Sequence, residues 1–143
     1  METWNNGPHL LELEPPDIFH CRIRGPIEEA EAKETVRLVR EELSAKRGLR
    51  VFFVAHMEQK GSSNPFTPAA RKYLSSVNPE WKSIIVVGGN ALMRAASNIV
   101  VNGMSLFSNR KIPFKMVKSL DEAREFMAEF REQEAANAAP SKG

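Results

Sequence analysis

An α/β fold is predicted from three observations. Two runs, LRVFFVA from Leu49 to Ala55 and SIIVV from Ser83 to Val87, are apolar at successive positions, as in strands covered on both faces. Segments of helical periodicity alternate with them, which favours a layered sheet-and-helix domain. The chain has 143 residues, 42% hydrophobic and 27% charged, which fits a single globular domain with its own core. The expected element order is ββαβαβαβα around a mixed five-stranded sheet. The opening pair, joined by a short turn, is expected to be antiparallel, and the later strands parallel through right-handed crossovers.

Residues 1–8 read as a loose end, so the domain is expected to cover residues 9–132. His9 to Glu14, HLLELE, alternates weakly and reads as a strand. Pro15 and Pro16 make the turn. In DIFHCRIR, Phe19, Cys21 and Ile23 fall on one face of a second strand, and Ile18, His20, Arg22 and Arg24 on the other. Gly25-Pro26 closes it. The first long helix is expected over residues 27–47, with Ala32, Val36, Val39 and Leu43 on its apolar side. Glu29–Lys33 and Glu42–Lys46 form i,i+4 pairs on the wet side. Gly48 is the natural residue to follow its last turn.

The stretch GSSNPFTPAARK comes between the two apolar strands. Thr67 followed by Pro68 reads as a hydroxyl N-cap and a proline at the first helical position. The helix is expected to end before Asn78-Pro79. Gly88-Gly89-Asn90 turns into a third helix over residues 91–107. Pro113 to Val117 reads as a last short strand. Ser119 and Glu122 form a capping box for the final helix, whose stripe is Leu120, Ala123, Phe126, Met127 and Phe130. From residue 133 to 143 the tail is expected to fray and lose order.

Several chemistries find little material here. The chain contains two aspartates, Asp17 at a strand start and Asp121 in the capping box, so the usual aspartate-centred metal and phosphoryl-transfer sites are not expected. Walker, HExxH, Gly-x-Ser-x-Gly and Cys-x-x-Cys patterns do not occur. No cofactor or metal is expected. A net charge of +2 does not indicate nucleic acid. Cys21 is the single cysteine, and its mid-strand position fits a buried structural thiol in a reducing compartment. The start METWNNGP lacks the features of a secretory leader. The most apolar stretch, residues 91–107, contains Arg94, Asn98 and Asn102, so no integral membrane segment is expected.

Three groups of residues can carry a function. The first is Ser62 and Ser63 with Thr67, Arg71, Asn90 and Arg94. Two helix starts lie at the ends of neighbouring strands, where free N–H groups and the helix dipole favour an anion or a phosphorylated serine. Plain loop polarity and surface arginines account for the same residues. The second is Met93, Val100, Val101 and Met104, which widen the apolar face of the third helix beyond one stripe. That width fits a partner surface, a homodimer contact or an apolar pocket, and equally a helix that is deeply covered. The third is His56 and Glu58 at the end of a central strand. They are acid/base candidates at the sheet edge where ligands usually sit, or solvated loop residues.

The strings HCRIRGPI, LRVFFVA, TPAARKYL, IIVVGG with NALMRAA, and SLDEAREFM, in this order, resemble the STAS family of anti-sigma factor antagonist-like domains, most closely its SpoIIAA-like branch. The resemblance runs from Leu10 to Glu132. It implies helices packed mainly on one face of the sheet. It also implies a non-catalytic bacterial cytoplasmic signalling module that engages a partner protein such as a regulatory kinase. In that family the phosphoacceptor serine begins the second helix, and Gly61-Ser62-Ser63-Asn64 stands in the corresponding region here. The alternative expectation is a small carrier or sensor for an apolar, acyl or anionic ligand, working at a membrane surface.

Overall fold

The computed structural model describes residues 1–58, 65–77, 81–88 and 114–138. Six strands form one sheet in sequence order: β1 (Glu2–Asn6), β2 (His9–Glu14), β3 (Ile18–Ile23), β4 (Phe52–Met57), β5 (Ser83–Gly88) and β6 (Phe114–Val117). β1, β2 and β3 run antiparallel, and β3, β4, β5 and β6 run parallel. The described helices are α1 (Glu29–Arg37), α2 (Pro68–Ser76) and α3 (Leu120–Ala138). The mixed α/β architecture and the antiparallel opening pair agree with the expectation from sequence.

The sheet has six strands rather than five, because residues 2–6 are not loose. They pair with β2 from Glu2 opposite Leu13 to Asn6 opposite His9. Gly7 makes the turn at φ 61°, the left-handed region that glycine enters without penalty. Trp4 lies 6.1 Å from the Phe19 ring, and the Asn6 amide donates to Glu31 O at 2.8 Å and to Thr35 Oγ1 at 3.0 Å. Buried His9 completes the junction. Its Nδ1 accepts from Arg24 N at 3.2 Å, so Nε2 carries the hydrogen toward Pro26 O and Glu31 Oε1, each at 3.2 Å. The hairpin is thereby fastened to the start of α1.

Period-two alternation gives the two sheet faces different characters. One face presents Leu11, Leu13, Phe19, Cys21, Ile23, Phe53, Ala55 and Val86 to Ala32, Val36, Val39 and Leu43 of the first helix and Ala70 of α2. Trp81 stacks on Phe53 with ring centroids 4.2 Å apart. The other face presents Ile18, Phe52, Val54, Ile85 and Val117 to Ala123 and Met127 of α3. The described helices therefore cover both faces, not mainly one. α3 crosses to the second face because that is where its stripe of Leu120, Ala123, Phe126, Met127 and Phe130 finds apolar partners. Each fully buried Leu or Phe of these layers contributes about 1.5–3 kcal/mol.

The first helix continues past Arg37 as a π-helix (Leu38–Ala45), with Leu38, Val39 and Leu43 all buried. It ends on Gly48 at φ 64°. Gly48 N donates to Ser44 O and Leu49 N to Leu43 O, both at 2.9 Å, the first of these being the 5→1 bond of an αL cap. α3 begins with Ser119 Oγ accepting from Glu122 N at 3.3 Å, while the Glu122 carboxylate accepts from Lys118 N at 3.1 Å. That helix runs to Ala138, beyond the point where fraying was expected.

Gly7→Ala tests the hairpin. A Cβ at this position would overlap the Glu31 carboxylate and force an L side chain into the left-handed region. The substitution is expected to lower stability by about 1–3 kcal/mol in urea-induced unfolding. A loss below a few tenths would contradict the docking of β1 against α1.

Candidate functional site

The second sheet face changes from apolar to ionic along its length. Ile18, Phe52 and Val54 occupy the end covered by α3. Toward the carboxyl ends of the parallel strands the same face carries Glu12 on β2, His20 and Arg22 on β3, and His56 on β4, while Glu14 of β2 lies opposite Ile18 at the α3 end. Register brings these groups together: Glu12 is opposite His20, and Arg22 is opposite His56. Polar side chains held inside a sheet face must find partners there, since unpaired burial is costly.

They form a continuous chain. His56 Nε2 lies 2.7 Å from His20 Nδ1, with the rings 4.9 Å apart. His20 Nε2 lies 3.1 Å from Glu14 Oε1. Both oxygens of Glu14 accept from Arg124 on α3, at 2.8 Å each. His20 is 3% exposed and His56 8%, so the centre of the chain is dry while Arg124 is at the surface. A second ionic group borders it. Arg22 donates to Glu12 and, at 2.9 Å, to Glu58, while Arg24 donates to the other oxygen of Glu58 at 2.8 Å.

The electrostatics follow from this arrangement. The Arg124 guanidinium, with help from His20 and against some desolvation, holds the Glu14 carboxyl down at about 2. Burial lowers the His20 pKa, against the pull of Glu14. Burial, the neighbouring His20 and Arg22 push His56 down to about 4. Both rings are therefore neutral at pH 7. Arg24, ahead of Arg22, lowers Glu58. Burial pushes the Cys21 thiol on the opposite face up to about 12, which suits a structural thiol rather than a nucleophile.

The expected site residues fare differently. Thr67 is the N-cap of α2: its Oγ1 accepts from Ala70 N at 3.3 Å and donates to Ile27 O at 2.8 Å. Arg71 lies one turn inside α2 and is half-buried. His56 is not a solvated loop residue but the buried penultimate residue of β4. Glu58 follows the end of β4, and its carboxylate accepts from Arg22 and Arg24. Ser62, Ser63, Asn90, Arg94, Met93, Val100, Val101 and Met104 lie outside the described residues. The residues that sequence reasoning missed are Glu14, His20 and Arg124. Alternation had put His20 on the less apolar face, but the neighbour that completes its hydrogen bonding comes from another strand.

His20 and His56 are natural metal ligands, yet the nitrogens that converge are spent on each other. Among the described residues, no group of three or more His, Cys, Asp or Glu is placed to hold a metal ion. No described helix is long and apolar enough to cross a membrane.

A second fixed feature lies at the same edge. Glu58 N donates to Ile23 O at 3.0 Å, Ile27 N to Pro65 O at 2.7 Å, and Thr67 N to Ile27 O at 3.2 Å. Both ends of the connection between β4 and α2 are thus tied to the turn between β3 and α1.

The depressed histidines set a pH dependence. The unfolded chain takes up protons near pH 6.5, whereas folded His56 resists until about 4. Stability is therefore expected to fall as pH drops from about 6.5 to about 4, by up to roughly 3 kcal/mol for His56. Glu14 adds a loss between its ordinary 4.5 and about 2, again in the acid direction. Urea unfolding at a series of pH values checks this, with a flatter profile between pH 6.5 and 4 expected for His56→Gln. An unchanged slope in that variant would contradict the assignment.

No family model, no curated protein and no solved structure matches the chain.

Proposed function

We propose that the chain is a non-catalytic STAS-like regulatory module that engages a partner protein through the carboxyl edge of its parallel strands. The observation that carries this reading is the double anchoring of the β4–α2 connection. Glu58 at its start is bonded to Ile23, and Pro65 and Thr67 at its end are bonded to Ile27. An edge anchored at Glu58 and again at Pro65 and Thr67 lowers the ordering cost of binding, and Ser62 and Ser63 fall between these anchors in sequence. The neighbouring Arg22, Arg24 and Glu58 provide charged groups for specificity. A phosphate on either serine would add close to two negative charges to this edge, which is enough to reverse a partner preference. The carrier reading rests on Met93, Val100, Val101 and Met104, and no described residue favours it.

The test is site-specific photo-crosslinking in the native cell. The crosslinker is placed at Ala69, exposed in the first turn of α2, and at Glu125, exposed on α3, as a control. A single protein adduct from Ala69 and none from Glu125 is expected. Its yield should change at least about tenfold in Ser62→Glu or Ser63→Glu if the edge is a charge switch. No adduct from Ala69, or the same adduct from both positions, would overturn the reading.

A further inference from the structure

The hydrogens of the buried chain can be assigned by counting. Glu14, held as a carboxylate, only accepts. His20 Nε2, 3.1 Å from it, must therefore carry a hydrogen. Neutral His20 then has a lone pair on Nδ1, so His56 Nε2, 2.7 Å away, must carry the hydrogen between the rings. His56 is left with its lone pair on Nδ1. Every link points the same way, from His56 through His20 to Glu14, and Glu14 is also the seat of Arg124 on α3.

This direction limits how many protons the pair can take. One extra proton is tolerated: the rings still share a single hydrogen between the facing nitrogens, and the charge sits beside Glu14. A second places hydrogens on both facing nitrogens, which cannot stay 2.7 Å apart. Each step also puts a cation beside a carboxylate that already serves Arg124. The groups facing the pair are Glu12 and Glu14 from β2, Arg22 from β3, Glu58 at the end of β4 and Arg124 from α3. The three carboxylates favour proton uptake, while Arg22 and Arg124 oppose it.

We propose that the His20–His56 pair is a proton-operated latch for the C-terminal helix, in which proton uptake weakens the Glu14–Arg124 pairing and frees the first turns of α3 from the sheet. The far half of α3 is held independently. Arg131 pairs with Asp17 at 2.5 Å, Lys82 pairs with the same Asp17 at 3.0 Å, and both cations lie over the Phe52 ring. Opening is thus confined to the end that Arg124 fastens. It would uncover Val117, which is buried in the same apolar cluster as Ala123. The latch does not depend on the proposed partner edge. By linkage the coupling is reciprocal, so loss of Arg124 must ease protonation of His20.

Hydrogen exchange on the full chain, read as protection factors from about pH 7 to about pH 4.5, tests the latch. Amides of residues 123–127 should lose protection by about tenfold or more relative to β3 and β4 in this range. His20→Gln, which can still donate to Glu14, should keep those amides protected and pH-independent. In Arg124→Gln, the His20 pKa followed by NMR should rise, with the helix start already weakly protected at pH 7. A helix that exchanges identically across the range would overturn the latch. So would the same loss in His20→Gln, loss in step with the sheet, or a His20 pKa unmoved by Arg124→Gln. The Arg124→Gln measurement decides the matter if His20→Gln does not fold.

Discussion

Alternation along β3 and β4 is the constraint on which the rest depends. It places His20, Arg22 and His56 on the same sheet face as Ile18, Phe52 and Val54. His20 and His56 are buried on that face and cannot rely on water. They must satisfy one another, and the register of β2 and β4 brings them the means. One direction along this face leads to a dry apolar layer under α3. The other leads through a histidine pair to an ionic lattice at the strand ends. The site and the core are two ends of one surface.

This arrangement assigns different duties to the two sides of the sheet. The α1–α2 side is almost wholly apolar and is closed by a glycine αL cap, a threonine cap and a docked hairpin. Changes there act on stability. The α3 side mixes apolar packing with buried polar groups, whose energy depends on protonation. Breaking one partner of such a chain leaves the next one stranded, which makes its members act together. The chain runs from the sheet centre to Arg124, and so connects a buried titratable pair to a surface helix.

Much of the fold was legible in the sequence. The apolar runs at β4 and β5 become central strands, and Thr67-Pro68 and Gly48 cap helices as their chemistry requires. The first strand was not recognised because ETWNN is short and polar, and its pairing depends on Trp4, Asn6 and the Gly7-Pro8 turn together. A glycine at the first central position of a two-residue loop is a hairpin signal, and Gly7 was the available clue. The side taken by α3 was not legible either, since its stripe fits any apolar face. The site was only half visible. His56 stood out at a strand end, but Glu14, His20 and Arg124 lie on three elements separated by up to 110 residues, and only the register joins them.

The central claim is that the buried chain is directed, with one hydrogen between two neutral rings. Nitrogen-15 NMR of the imidazoles at pH 7 measures this directly. Both histidines should be neutral with the hydrogen on Nε2, and a scalar coupling should appear between His56 Nε2 and His20 Nδ1 across their 2.7 Å contact. A hydrogen on Nδ1 of His20, or two rings that exchange freely with water and show no coupling, would contradict the account.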